Sequence, residues 1–457
     1  MQSETKDRGL MQRSIQPERV MALGFLVVIA LGAILLSLPV ASASGKSIGL
    51  NNGLFTSASA VCVTGLVTVD TGTTFSLFGQ IVLLCLIQVG GLGFMIFTTL
   101  IMAAVGRRIT LQDRVLIRES MNATTLYGLV QLTGWYGLLA LGIEGIGAVI
   151  LATRFVPLYD WGKGIWYSLW HAVSAFCNAG FDLFGGFRSL TVFAHDPVVL
   201  LTVSALIILG GIGFAVMLDV MHQRFRFSQF TLHTRIVLVL TGALLAVGTL
   251  FFALVEWSRP ETLDAGMNAG EKLLNAFFQS VTMRTAGFNS IPLDQMHDSS
   301  KLVSVLLMFV GASSASTGGG VKVTTIAVLL LTVLSVLRGE EDITAAKRRI
   351  PVQLVRRALA IVVFYILILL GGTIALSLIE GDAYSMLDLL FETTSALATV
   401  GVSSIGTPNL KPLSHCVLVP LMYIGRIGPL TMALALASRQ GRTKTKIRYP
   451  EETITIG

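Results

Sequence analysis

Apolar residues along this chain gather in long, nearly uninterrupted runs separated by short polar stretches, with little of the one-sided alternation that marks a helix half-exposed to water. One set of runs lies near 20–42, 129–153, 234–256 and 354–379, and a second near 76–104, 197–221, 301–337 and 413–437. Each approaches or exceeds the ~20 residues a helix needs to cross a bilayer. Between the members of each pair lies a shorter segment, near 53–63, 165–177, 272–283 and 386–398. A dozen residues is too few to span, so these are read as re-entrant helices, which sit at membrane depth only where protein or a wet cavity surrounds them. The first run follows a charged leader but is longer than a signal-peptide core, and is read as a retained helix.

The same order occurs four times. VCVTGL (61–66), CNAGF (177–181), RTAGF (284–288) and ATVGV (398–402) carry Gly65, Gly180, Gly287 and Gly401, spaced 115, 107 and 114 residues apart. An aromatic residue stands ten positions before each glycine, and a second glycine cluster begins 25, 30, 24 and 24 residues after it. A repeat of this kind is an architectural signal. It divides the chain into a cytoplasmic N-terminus (1–19), repeats at 20–104, 129–221, 234–337 and 354–437, linkers at 105–128, 222–233 and 338–353, and a cytoplasmic tail (438–457).

Composition fits this reading: 53% of the 457 residues are hydrophobic and 13% charged, against roughly a quarter charged in soluble domains. A soluble enzyme, a disulfide scaffold and a disordered chain are excluded. With every repeat starting and ending inside the cell, 22 of the 33 Lys and Arg are cytoplasmic, 9 are external, and Lys322 and Arg426 fall within the membrane. That is the positive-inside pattern. The net charge of +7 therefore reflects orientation in the membrane and lipid headgroups rather than nucleic acid. The outer face, at net −5, would concentrate cations at its mouth. The four cysteines have no metal-ligand spacing and are read as small buried hydrophobes.

The glycine motifs carry the chemistry. A dehydrated cation needs several oxygens held around it, and a ring of backbone carbonyls supplies them. Glycine, free to take positive φ, lets successive carbonyls point one way. Val63-Thr64-Gly65, Asn178-Ala179-Gly180, Thr285-Ala286-Gly287 and Thr399-Val400-Gly401 are the candidate ion-binding segments, with potassium at the four glycines. Each short helix would aim its negative C-terminal end at the same point. Among the second clusters, GGLGF and GGIGF read as close helix packing. In the third repeat, Gly311, Ala312, Ser313, Ser314, Ala315, Ser316, Thr317, Gly318, Gly319 and Gly320 break a helix into a flexible loop followed by Lys322. That loop is the candidate gate. Arg426, where other repeats have Gly91, Gly211 and Ala312, is the second gate candidate because an intramembrane arginine is costly. Glu144 is read as an interhelical hydrogen-bond partner.

These motifs resemble those of the Trk/Ktr/HKT superfamily of potassium transporters over almost the whole chain. The single hydrophobic segment before the first filter resembles the Ktr-type bacterial subunit more than the longer Trk type. The resemblance implies an all-α polytopic membrane protein of four parallel M1–P–M2 repeats, with eight transmembrane and four re-entrant pore helices around a pseudo-fourfold pore. It further implies potassium uptake by a homodimer in the cell inner membrane, docked on a cytoplasmic ring of KtrA-like nucleotide-binding subunits. Such members are usually sodium-dependent. No covalent cofactor is expected, only potassium in the filter and sodium acting at an unassigned place. The rivals are a secondary transporter of another small cation or solute, disfavoured because the repeats are parallel, and an intramembrane enzyme. For the enzyme, His171 near Ser174 is the one weak pair, and no catalytic residue is assigned.

Overall fold

The computed structural model describes residues 17–93, 97, 99, 129–264, 266–340, 342–346, 348–429 and 431–432. The expected linker 105–128 and tail 438–457 lie outside the described residues, as does nearly all of the N-terminus. The described chain is almost wholly helical, with one two-residue hairpin at 344–349.

The short helices sit where the glycine period places them. Helix α1 (Pro17–Ser37) is followed by the short α2 (Leu50–Val61) and then α3 (Leu77–Leu92). Helix α4 (Leu129–Phe176) is two helices joined at a kink, with non-helical Tyr159 and Asp160 separating the long arm from the second short helix. Then come α5 (Pro197–Ile212), α6 (Phe214–His222), α7 (Leu232–Glu256), the short α8 (Ala269–Thr282), α9 (Asp298–Phe309) and α10 (Val323–Leu337). The last are α11 (Val352–Glu380), the short α12 (Met386–Leu397) and α13 (Pro412–Ile427). Polar side chains fix the starts: Ser76, Asp196, Thr231 and Ser385 each accept from a backbone N–H of the first turn, and Asn268 with Glu271 forms a reciprocal capping box. Each such cap contributes about 1 kcal/mol.

Among the described residues four helices, at 19–37, 131–176, 232–256 and 352–383, are long and apolar enough to cross a membrane. Each covers most of an expected first helix, the first ending at Ser37 rather than at 42. The second helices differ from expectation, because none runs unbroken. In three repeats a glycine with left-handed backbone stops the helix: Gly93 (φ 86°), Gly213 (φ 91°) and Gly428 (φ 94°). Helices α5 and α6 meet at 95° across this break. The third repeat breaks between α9 and α10. A 16-residue fragment such as α3 rises only ~24 Å, so the apolar run in the sequence is long while the helix within it is not.

Small residues close the gaps between helices. Ser57 Oγ of α2 donates to the Ile29 carbonyl of α1 at 2.7 Å, Ser280 Oγ of α8 to Leu245 of α7 at 3.0 Å, and Thr373 of α11 meets Thr393 of α12 at 2.7 Å. The second helices reach the ends of the short helices through glycine. A Cβ on Gly90, Gly210 or Gly425 would collide with the carbonyl of Val61, Phe176 or Leu397. GGLGF and GGIGF thus pack closely, as expected, but also end the helix. Two cysteines depart from expectation: Cys62 and Cys177 are buried, whereas Cys85 and Cys416 are exposed, all four being free thiols.

Gly210→Ala and Gly425→Ala should each cost about 1–3 kcal/mol, read as lower melting temperatures in detergent. Gly371→Ala, which meets nothing within 4 Å, should be neutral or slightly stabilising.

Candidate functional site

Four turns meet at one place. In each, the residue two before the glycine and the glycine itself both have left-handed backbone: Val63 (56°) and Gly65 (95°), Asn178 (58°) and Gly180 (69°), Thr285 (70°) and Gly287 (86°), Thr399 (52°) and Gly401 (94°). Valine and threonine rarely adopt that region, at a cost of order 1–3 kcal/mol each, so the surroundings must impose it. Hydrogen bonds back onto the short helices do so. Thr64, Ala179 and Val400 donate their N–H to the carbonyls of Ser59, Ser174 and Ser395 at 2.8 Å each. The same serines act through their hydroxyls. Gly65 N and Gly401 N donate to Ser59 and Ser395 Oγ at 3.0 Å, while Ser174 Oγ donates to Phe181 O at 2.8 Å. Thr282, hydrogen-bonded to Phe288 O, takes that role in the third repeat. These bracing residues escaped the sequence reading although a signal was present: Ser-Ala recurs six residues before three of the glycines.

The turns abut in cyclic order. A Cβ on Gly65 would stand 2.6 Å from the Ala179 carbonyl oxygen, on Gly180 2.9 Å from Ala286 O, and on Gly287 2.7 Å from Val400 O. On Gly401 it would strike Thr64 O. Each glycine therefore faces the carbonyl of the residue before the next repeat's glycine, and the fourth returns to the first. All candidate ion-binding residues are brought together.

Outside this ring lies a cavity of about 560 Å3 floored by the four glycines and bordered by Asp70, Asp182, Asp294 and Arg188. Asp70 ties the first repeat to the second by accepting from Gly186 N at 2.6 Å. One face of α12 holds the segment beyond Gly401: Asp388 accepts from Ser404 Oγ at 2.9 Å and from Lys301 Nζ at 2.9 Å, and Glu392 accepts from Thr407 Oγ1 at 2.6 Å. Burial pushes the Asp182 carboxyl up to about 6, and the charge of Asp70 acts in the same direction.

On the other side lies the segment from Gly311 to Gly320. It is folded back on itself: Gly311 N donates to Val321 O at 3.0 Å and Ala312 N to Gly319 O at 3.3 Å. Ser313 N and Thr317 N donate to the carbonyls of Gly211 (3.0 Å) and Gly210 (3.3 Å), and Ala315 O accepts from Phe214 N at 3.2 Å. Ser314 meets Thr324 at 3.2 Å and Ser316 Oγ donates to Ser313 O at 2.6 Å. Gly318 and Gly319 abut the side chains of Thr285 and Thr399, and Gly320 turns the chain with φ 72°. Lys322 Nζ donates to Gly318 O at 2.7 Å. Arg426 donates to Thr317 O of this loop and to the carbonyls of Gly90 and Gly91 in α3. The gate candidates are thus neighbours, and Arg426 joins the loop to the first repeat through carbonyls. Glu144 accepts from Gln88 Nε2 at 3.1 Å, the interhelical role expected of it. His171 accepts from Leu183 N at 3.3 Å and braces the second turn.

Ser59→Ala strands the buried N–H of Gly65 and Ser395→Ala the half-buried N–H of Gly401, each costing about 1–3 kcal/mol. Both should lower the melting temperature in detergent, and Ser→Thr, which keeps the hydroxyl, should restore part of it. Acidifying the outer bath from ~7.5 to ~5.5 should weaken cation entry as Asp182 takes up its proton. Asp182→Asn should flatten that pH profile.

The family model described as TrkH, a cation transport protein, matches residues 10–445. The Ktr system potassium uptake protein B of Bacillus subtilis is 42% identical over 452 residues, 99% of each chain. The potassium/sodium uptake protein NtpJ of Enterococcus hirae is 38% identical, covering 98% of both. Among solved structures, the potassium transporter TrkH from Vibrio parahaemolyticus superposes with a TM-score of 0.70 at 16% identity, over 91% of this chain and 84% of that one. The helical architecture is therefore TrkH-like, the relatives are named as transporters rather than enzymes, and this chain belongs to the TrkH family of cation transport proteins.

Proposed function

We propose that this chain takes up potassium through a four-repeat pore, with the abutting turns as its selectivity filter. The observation that carries this reading is the cyclic contact of Gly65, Gly180, Gly287 and Gly401 with the carbonyls of Ala179, Ala286, Val400 and Thr64. Carbonyl oxygens replace a cation's hydration shell, and the short helices add the negative ends of their dipoles. A ring built from four non-identical turns selects by how closely its oxygens are held, so the left-handed residues and their serine braces are part of selectivity. The acidic cavity on the outside feeds the ring.

The loop from Gly311 to Gly320 lies beneath the ring and is the gate, held by Lys322 and Arg426. Arg426 is stabilised by carbonyls, so its charge stays available to oppose a cation moving inward. Uptake is sodium-dependent, a reading supported by the name of the Enterococcus relative. The chain works as a homodimer on a ring of KtrA-like nucleotide-binding subunits, in keeping with the "Ktr system" of its relatives' names. It lies in the inner membrane with both termini cytoplasmic, the orientation the Lys and Arg bias gives. On that inner face Arg224, Arg226, Arg348 and Arg349 are exposed and available to the partner ring or to anionic lipid. The candidates Arg107, Arg108 and Lys347 fall outside the described residues.

Rubidium uptake into liposomes by the purified protein, with and without sodium, tests the reading. Gly65→Ser places a side chain on a backbone at φ 95°, 2.6 Å from Ala179 O. It should reduce potassium-over-sodium discrimination about tenfold or more, equivalent to ~1.4 kcal/mol. Unchanged discrimination would remove the filter assignment. Arg426→Ala, or deletion of residues 314–316, should raise uptake with less effect on selectivity. If neither changes the rate, the gate is elsewhere.

A further inference from the structure

The third turn has a feature the other three lack. Three residues before the glycine stand Cys62, Cys177 and Ala398 in the first, second and fourth repeats, but Arg284 in the third. Its side chain is buried, with 7% exposure. Nη2 donates to Gly311 O at 3.2 Å, Nη1 lies 3.4 Å from Thr241 O of α7, and Nε has no partner. Among the described residues no carboxylate pairs with it. A buried guanidinium without an anion is destabilising unless carbonyls hold it, and here one of the two carbonyls belongs to the first residue of the gate loop.

Repeats one, two and four close the second helix onto the short helix by direct backbone contact, through Gly90, Gly210 and Gly425. In the third repeat the corresponding glycine, Gly311, faces Gly319 O of its own loop instead. Arg284 bridges that gap. Its neighbour Thr285 abuts Gly318 of the same loop, so the third turn touches the loop near both ends. A cavity of about 20 Å3 lies between Arg284, Gly211 and Ala312.

We propose that Arg284 is a positioning residue coupling the carbonyl ring to the loop, so that displacing the loop costs the guanidinium its Gly311 partner. The inference rests on the filter and gate reading given above. While the loop is in place, Arg284 holds both Gly311 and the turn carrying Ala286 O. When the loop moves aside, Arg284 is left with Thr241 alone, and the third turn loses its fixed backing. The one charged turn is thus attached to the one loop that interrupts a second helix.

A double-mutant cycle tests this on the full-length protein in liposomes, using rubidium uptake and potassium-over-sodium discrimination. Its members are the native chain, Arg284→Gln, deletion of residues 314–316, and the two combined. Arg284→Gln should raise uptake about tenfold, the worth of one charge-assisted hydrogen bond, in the native background and leave it unchanged in the shortened-loop background. Hydrogen exchange gives a readout independent of transport: the amides of Gly311 and Ala312 should exchange about tenfold faster in Arg284→Gln. Arg284→Lys, which keeps the charge but not the planar fork, should fall between the two and carries the cycle if the glutamine variant does not fold. Equal effects of Arg284→Gln in both backgrounds, or unchanged exchange, would overturn the coupling while sparing the gate. If loop deletion alone leaves uptake unchanged, the gate assignment fails and the coupling fails with it.

Discussion

The structure depends on four carbonyl oxygens, each occupying the space where a side chain would stand on a neighbouring glycine. Thr64 O against Gly401 closes the circle begun by Ala179 O against Gly65. Contacts this close tolerate no Cβ, so the ring exists only if every turn keeps both its glycine and its left-handed residue two positions earlier. Nothing inside a turn supplies that constraint. It comes from the short helices, whose serines and threonine hold the turns from behind. The short helices are held in turn by small-residue contacts to the long first helices. Ring, short helix and long helix thus form one chain of dependence in the first, third and fourth repeats.

The charges follow a complementary rule. Arg284 is buried and Lys322 and Arg426 are half-buried near the ring and loop, and their partners are carbonyls of turns and interrupted helices. A carboxylate there would pair with the cation and neutralise it. Carbonyls stabilise the cation while leaving its charge in place. The breaks at Gly93, Gly213 and Gly428, and the 311–320 loop, are what free carbonyls from helical hydrogen bonding. On the cavity side of the ring, Asp388 and Glu392 fasten the segment beyond Gly401 and Asp70 joins two repeats.

The architecture was legible because its signals repeat. Gly65, Gly180, Gly287 and Gly401 recur with one spacing and one set of neighbours, and the short helices begin and end within a few residues of the expected positions. The continuity of the second helices was not legible. A glycine inside an apolar run is compatible with an intact packed helix or with a break, and hydropathy does not distinguish them. At Gly93 and Gly213 the backbone takes the left-handed region, which the sequence permits without requiring. The partners of the loop were not legible either: its glycine, alanine and serine give no hint of contacts, yet Gly210, Gly211 and Arg426 from distant segments supply them. Ser59, Ser174 and Ser395 were readable as a repeated Ser-Ala and were overlooked, whereas Arg284 gave no sign, since a lone arginine beside a glycine motif has no period to reveal it.

The sequence by itself determined the membrane-embedded, helical class, the recurring glycine motifs, and the glycines on which the site is built. Those properties follow from composition and period, which are local or periodic along the chain. Only the tertiary structure decided which carbonyl faces which glycine, where the second helices stop, and which backbone oxygens hold Arg426 and Arg284. Those partners lie as far apart as Arg426 and Gly90, 336 residues in sequence. Backbone carbonyls are the same at every position, so no residue type marks the ones that will be used, and only the folded geometry selects them.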